Sequence, residues 1–304
     1  MKILIVCSKN SGKIAPFILE QANSLLNCGL DIDFFTVEQK GWVGYIKSRK
    51  SLLQKIAIFK PDILHAHYGL SGLLANLQRR VPVVTTYHGT DINNDRIFKF
   101  SKVAILLSKY NIFVSAKNVE KSNVSKNYAL IPCGVDTTTF KPQEIIECRK
   151  KLRLDLNKKY VLFAGSFNNQ VKNPALALQA VAQLNDVELI ELKGYSREDV
   201  SVLMNAVNVC LMTSFTEGSP QFIKEAMACG TPIVTVNVGD VKEVIANTEG
   251  CYVCDTYHIE EIVDKLRRTL HFNRRTNGRD EILTLGLDLK TTAEKILTLY
   301  NKLV

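Results

Sequence analysis

No apolar run in the 304 residues approaches the ~20 needed to cross a bilayer. The first run, Lys2 to Cys7, stops at Ser8-Lys9-Asn10, too short for a secretory leader. A cytoplasmic protein is therefore expected. No Gly-x-Gly-x-x-Gly follows that run, which speaks against a nicotinamide or flavin enzyme. The stretch Cys7-Ser8-Lys9-Asn10-Ser11-Gly12-Lys13-Ile14 holds the Gly-Lys of a P-loop. It lacks the opening Gly and the closing Ser/Thr that would bind magnesium, so an ATPase is not expected. No Gly-x-Ser-x-Gly elbow is present, which leaves a hydrolase triad unsupported. Cys251-Tyr252-Val253-Cys254 has metal-ligand spacing, but no second pair completes a zinc site. The eight cysteines are scattered, several of them in apolar stretches, and read as reduced thiols.

What is present suits two domains of ~150 residues each. Hydrophobic residues make up 46% and charged residues 23%, so a folded core is expected. The charge is one-sided. Residues 1–142 carry 19 Lys and Arg against 9 Asp and Glu, and the remainder carries 20 against 21. Such a basic half can serve nucleic acid, anionic lipid or an anionic substrate, or act only as a solubilising surface.

Short apolar runs alternate with longer amphipathic stretches. In the first half the expected strands are Lys2–Cys7, Ile32–Val37, Asp62–His67, Val83–Tyr87, Val103–Leu107, Ile112–Ser115 and Ala129–Pro132, with a helix Pro16–Asn27 closed by Gly29. The second half restarts with Tyr160–Gly165, Val187–Leu192, Val209–Thr213, Pro232–Val236 and Gly250–Val253. Two series of alternating strands and helices imply two doubly wound α/β domains. Pro142 marks the expected join, giving domains 1–142 and 143–304. Ligands bind at the carboxyl ends of strands in such sheets, so a cleft between two facing sheets is the expected place for chemistry.

The richest stretch is Glu217-Gly218-Ser219-Pro220-Gln221-Phe222-Ile223-Lys224-Glu225. Ser219 suits an N-cap, Pro220 suits the first helical position, and Gly230 with Pro232 marks the helix end. A helix N-terminus at the carboxyl end of a parallel strand attracts an anion such as diphosphate. Gly218 lets the backbone come close, and a carboxylate beside a sugar ring can accept two hydroxyls. Two carboxylates eight positions apart are nonetheless common on solvated helices, so this spacing alone says little.

The neighbouring motifs say more. Glu217-x7-Glu225 resembles the signature of the retaining glycosyltransferases of family four, the group 1 glycosyltransferases. Ile131-Pro132-Cys133-Gly134-Val135-Asp136, with Phe140 and Pro142, is similar to that family's segment before the linker. Pro61-Asp62-Ile63-Leu64-His65-Ala66-His67 and His88-Gly89-Thr90-Asp91 resemble its strand and turn. Gly165 followed by Lys172-Asn173 resembles its phosphate loop, and Val238-Gly239-Asp240 with Glu243 its closing turn.

The resemblance implies the GT-B fold, two Rossmann-like domains facing across a cleft. The first would lie on the acceptor side and the second would bind the nucleotide-sugar, with the last helix able to pack back on the first. It implies retaining transfer of a hexosyl-type sugar from a nucleotide-sugar donor to a glycan or lipid-linked acceptor, in cell-surface polysaccharide synthesis. The catalytic set is then His88, Lys172 and Glu217, and the donor-binding set Gly12, Gly165, Gly218, Ser219, Pro220 and Glu225. In the family the first Glu of the pair binds donor-sugar hydroxyls and the second the ribose. The histidine lies near the reacting carbon. A bland alternative stands beside each: a solvated Lys172, a structural His88, and a His67 bonded only to backbone. Asp136 reads as a turn cap. No Asp-x-Asp follows a strand of the first half, so no metal cofactor is expected, and no nucleic-acid partner either.

Three departures stand out. Ser166-Phe167 occupies the place where the family commonly has Arg. Glu191-Leu192-Lys193-Gly194-Tyr195 compresses a stretch that helps hold the base. Ser11-Gly12 alone stands for an N-terminal Gly-Gly loop. Another GT-B activity, such as a phosphorylase or sugar-nucleotide epimerase, and a non-catalytic sugar-nucleotide-binding protein are the rival readings. Residues 44–60 carry five basic and no acidic residues, with Leu52, Leu53, Ile56 and Phe59 at helical spacing behind Trp42. This segment suits contact with the anionic inner membrane surface. It equally suits a crossover helix packed on the sheet, and a soluble anionic acceptor would explain the same charge.

Overall fold

Alternate residues of the first strand enter two different cores, which makes the first half a three-layer structure. In the computed structural model, which describes residues 1–10 and 12–304, this strand is β1 (Lys2–Ser8). Ile3, Ile5 and Cys7 join a buried cluster with Ile18, Ala22 and Leu25. Leu4 and Val6 face the other way, into a cluster with Val37, Leu52, Leu64 and Leu74. The period of two along a strand requires this division, and each fully buried Leu or Ile contributes about 1.5–3 kcal/mol.

The chain divides into two compact units, Met1–Gly134 with Leu289–Val304, and Val135–Asp288. Among the described residues, the first holds β1, β2 (Asp31–Val37), β3 (Ile63–His67), β4 (Val83–Tyr87), β5 (Tyr110–Phe113) and β6 (Tyr128–Leu130) in the order β2-β1-β3-β4-β5-β6. The second holds β7 (Lys159–Phe163), β8 (Val187–Glu191), β9 (Val209–Met212), β10 (Ile233–Val236) and β11 (Tyr252–Cys254) in the order β11-β10-β9-β7-β8. Every pairing is parallel. Both sheets reverse their winding beside their first strand, between β1 and β3 and between β7 and β9. Crevices at the carboxyl ends of strands open at such switch points.

The helix Pro16–Asn27 forms where the sequence places it. Pro16 occupies its first turn, and Ile18, Ala22 and Leu25 make its buried stripe. Gly29, at φ +84°, closes it: the N–H of Gly29 donates to Leu26 and that of Leu30 to Leu25. The last helix, Leu289–Asn301, packs against it through Ala293, Ile296, Leu299 and Tyr300 and counts with the first unit.

Two features differ from the sequence reading. Val103–Leu107 is no strand but the end of a helix, Asp95–Leu107. Asn94 caps it by accepting the N–H of Arg96, Phe98, Ser101 and Ala104 are its buried face, and Leu106 is 83% exposed. A five-residue window of a period-3.6 pattern holds too little of the repeat to reveal it. The division between units falls at Gly134/Val135, ahead of the expected join at Pro142. Phe140 is fully buried in the second unit's core, and the N–H of Val135 donates to Leu287. Asp136 holds the turn between them, accepting from the backbone and hydroxyls of Thr138 and Thr139. Pro142 interrupts the periodic pattern without interrupting the contacts. No helix of the described residues is long and apolar enough to cross a membrane.

Candidate functional site

In the second unit the sequence-derived residues collect at the carboxyl ends of β7 and β9, the two strands flanking its switch point. After β7 the chain turns at Gly165, where a Cβ would stand 3.0 Å from Lys172 Cγ. The missing side chain makes room for the lysine stem. A short 3-10 turn, Gln170–Lys172, carries the lysine. The Thr213 hydroxyl, just past β9, donates to the carbonyls of Lys172 (3.0 Å) and Asn173 (2.9 Å). The backbone of Lys172 is thus fastened to the neighbouring strand, and its Nζ lies 2.6 Å from Glu217 Oε1, both side chains partly buried.

Glu217 leads into the helix Gln221–Ala228. Gly218 is in backbone contact with the following turn: a Cβ on Gly239, which has φ +59°, would meet Gly218 O at 2.5 Å. Ser219 does not cap the helix. The N-cap residue is Pro220, which has no side chain able to accept from the first-turn N–H groups. The Ser219 hydroxyl instead accepts from Lys224 Nζ at 3.1 Å and bonds to Asp240. A buried ammonium one turn into the helix outcompetes the backbone amides for that hydroxyl. Lys224 is 1% exposed, and Asp240 is raised by burial, with Lys224 and Ser219 pulling the other way. The helix ends as expected: Gly230, at φ +68°, donates to Met227, and Thr231 donates to Ala226.

Glu225 is almost fully buried, and its Oε1 accepts from Arg197 Nη2 at 2.8 Å. The guanidinium also lies 4.6 Å from the Phe140 ring centroid. Sequence reasoning missed Arg197 and Lys224. Lys224, a charge close to the apolar residues 226–229 of a helix that covers a sheet, was a visible signal. Arg197 had no comparable signal, because nothing in spacing links it to Glu225. Ser166, where an Arg was expected, donates to Glu191 Oε2 (3.2 Å), which also accepts from the N–H of Phe167 (2.8 Å). That loop is therefore anchored on a carboxylate.

In the first unit, His88 stands just past β4, inside a turn held by Asp91. One Asp91 oxygen accepts from the N–H groups of His88 (3.0 Å) and Gly89 (3.1 Å), the other from Gly69 (3.0 Å). Burial raises Asp91 to about 6 against these hydrogen bonds. The His88 ring packs against Tyr68 and Phe17 and stacks on His67, 5.2 Å between centroids. His67, for which a site role and a plain backbone bond are both open from sequence, meets His88 Nε2 through its Nδ1 at 3.0 Å. Cys133 Sγ lies 3.5 Å from His88 Nδ1. Gly12 has φ +88° and open space where a Cβ would be; Ser11, the other half of the expected loop, lies outside the described residues. Among the described residues no group of three or more His, Cys, Asp or Glu converges as metal ligands would.

Comparison with known proteins joins the two halves. Residues 20–139 match the model of Glycosyltransferase Family 4, and residues 187–279 that of Glycosyl transferases group 1. The Bacillus subtilis (strain 168) glycosyltransferase TuaC, whose name links it to teichuronic acid biosynthesis, is 23% identical over 60% of this chain and 55% of its own. The chain thus matches about half the length of such curated relatives. Among solved structures, the sucrose-phosphate synthase (tll1590) of Thermosynechococcus elongatus aligns over 99% of this chain and 98% of its own, with a TM-score of 0.85 and 18% identity. Anabaena Alr3699/HepE in complex with UDP-glucose aligns over 99% and 100%, with a TM-score of 0.76 and 17% identity. At such identities the likeness speaks for the fold, the two-domain α/β arrangement called GT-B. With a family model on each half and the Glu217-x7-Glu225 signature in place, the chain belongs to the group 1, family-four glycosyltransferases.

Proposed function

We propose that this chain is a retaining glycosyltransferase that moves a hexosyl-type sugar from a nucleotide-sugar to a glycan or lipid-linked acceptor, in cell-surface polysaccharide synthesis. The observation that carries the reading is the Lys172–Glu217 pair, 2.6 Å apart, ahead of a helix N-terminus with no side-chain cap. Those three features answer the three parts of a donor. The helix N-terminus and its dipole suit diphosphate, the ammonium suits its leaving oxygen, and the carboxylate suits sugar hydroxyls. The UDP-glucose complex of HepE and the name of TuaC support donor class and pathway by analogy.

In the reaction, the bond from the anomeric carbon to the phosphate oxygen breaks while a bond to the acceptor oxygen forms on the same face. The acceptor proton passes to a phosphate oxygen. Lys172 neutralises charge growing on the diphosphate, Glu217 orients the sugar, and Glu225 holds the ribose. His88 lies beside the sugar. No protein nucleophile is required, so catalysis rests on positioning and charge stabilisation. No metal cofactor takes part. The test is to screen nucleotide-sugars by thermal shift, then follow transfer by NMR. The product should keep the donor's anomeric configuration, and EDTA should leave the rate unchanged. An inverted product, or release of sugar 1-phosphate, would contradict the reading.

The second part of the proposal is a working place on the anionic inner membrane surface. In this reading the apolar stripe in residues 52–59 is mostly committed to packing. Leu52 is buried, Ile56 and Phe59 pack on the sheet-side cluster, and Lys55 pairs with Asp33. Of the large apolar residues in its helix, Arg49–Phe59, only Ile58 is strongly exposed, at 80%, and the preceding helix, Gly41–Lys47, adds Trp42, Val43 and Ile46, each about half exposed, beside Lys47, Arg49 and Lys50. Basic residues near an anionic surface contribute about 1 kcal/mol each, so Lys50→Gln should weaken binding to anionic vesicles about five-fold. Trp42→Ala should weaken it further, and salt should release the protein. Equal sedimentation with neutral and anionic vesicles, or none with either, would sink this part.

A further inference from the structure

We propose that His67 is a positioning residue for His88, donating its Nδ1–H to His88 Nε2 and so holding the His88 proton on Nδ1. The inference rests on the proposed place of His88 beside the donor sugar.

Three imidazoles stand in a row at the carboxyl ends of β3 and β4. His65 and His67 stack at 4.5 Å between centroids and 23°, His67 and His88 at 5.2 Å and 18°. His65 is anchored at both nitrogens, by Tyr300 on the last helix and by Thr86 Oγ1 at 2.7 Å. His67 is fully buried between the other two rings. Burial, with His65 and His88 alongside, pushes its basicity well down, so it is a neutral ring with one proton.

That proton has two places to be. On Nδ1 it completes the 3.0 Å contact to His88 Nε2, and the opposite nitrogen is a bare lone pair. On Nε2 it leaves a buried N–H, because His67 Nε2 has no hydrogen-bond partner among the described residues. Orphaned buried N–H groups are rarer in folded proteins than under-used acceptors, so the proton belongs on Nδ1. His88 Nε2 is then the acceptor, and a neutral His88 carries its own proton on Nδ1, 3.5 Å from Cys133 Sγ, a weak acceptor. The result is a directed chain, His67 to His88 to Cys133. It selects one tautomer and one ring orientation for the only member of the row that is not fully buried.

Two-bond 1H–15N correlation spectra of the whole labelled protein read the tautomer directly, with His88→Gln assigning the His88 pattern. The wild type should show His88 protonated on Nδ1. His67→Phe keeps a ring in the stack but removes the donor. It should move His88 toward the Nε2–H form that free imidazole side chains prefer and lower kcat about 10-fold, leaving KM for the donor little changed. His67→Asn can place an amide N–H where Nδ1–H stood and should restore both. A wild-type His88 protonated on Nε2 overturns the proposal, and so does a tautomer indifferent to His67→Phe. If His67→Phe does not fold, the wild-type and His67→Asn spectra still decide. If the tautomer responds but His88→Ala leaves turnover intact, the positioning stands and the role given to His88 fails.

Discussion

Lys172→Ala is expected to lower turnover by more than ~100-fold, the scale on which removal of a main electrostatic stabiliser acts. The loss should fall on kcat more than on KM, because charge on the diphosphate grows toward the transition state. The geometry supplies a control. The lysine stem lies against Gly165, where no Cβ intrudes, and its carbonyl is tied to Thr213. Lys172→Met keeps the stem and removes only the ammonium, so it should lose as much activity as the alanine variant while melting like the wild type. Ser166→Arg should raise turnover if one cation fewer is limiting. Glu191, now bonded to Ser166 and Phe167, would compete for the new guanidinium and cap the gain. Near-wild-type turnover in both Lys172 variants would mean that another group holds the phosphate.

Glu225→Gln is expected to weaken nucleotide-sugar binding by 10-fold or more, from loss of a charge-assisted hydrogen bond of about 1.5–3 kcal/mol. Shape is conserved, and Gln can still accept from Arg197, whose 2.8 Å contact occupies Oε1. Arg197 is 28% exposed in its side chain, so water screens the charge left behind and folding should survive. The loss should appear as KM for the donor and as calorimetric affinity for nucleoside diphosphate, with kcat affected less. Unchanged affinity would take Glu225 out of the ribose site and with it the basis for reading this half as the donor half.

Several elements were legible because their signals are local. The helix Pro16–Asn27 carries its start in Pro16, its stripe in Ile18, Ala22 and Leu25, and its stop in Gly29, all within fifteen residues. The buried strand β9 reads as an apolar run because both faces of a parallel sheet are covered. Where a signal depends on competition, the reading failed. Ser219 is a good cap by type, yet Lys224 and Asp240 claim its hydroxyl. Val103–Leu107 has strand-like residues, yet Asn94 had already started a helix nine positions upstream.

By itself the sequence determined two doubly wound parallel sheets, and it supplied the ordered motifs that mark the family. Parallel strands, crossover helices and glycine turns are specified by neighbours a few positions apart. Only the tertiary structure decided which charges meet. Arg197 and Glu225 are 28 positions apart, Lys172 and Glu217 are 45 apart, and His67, His88 and Cys133 come from the end of β3, the turn after β4 and the segment after β6. A hydrogen bond depends on tenths of an ångström between side chains whose separation in sequence carries no geometric information. Those distances are set by how the strands order themselves around the β1/β3 and β7/β9 switch points, and that order exists only once the sheets have formed.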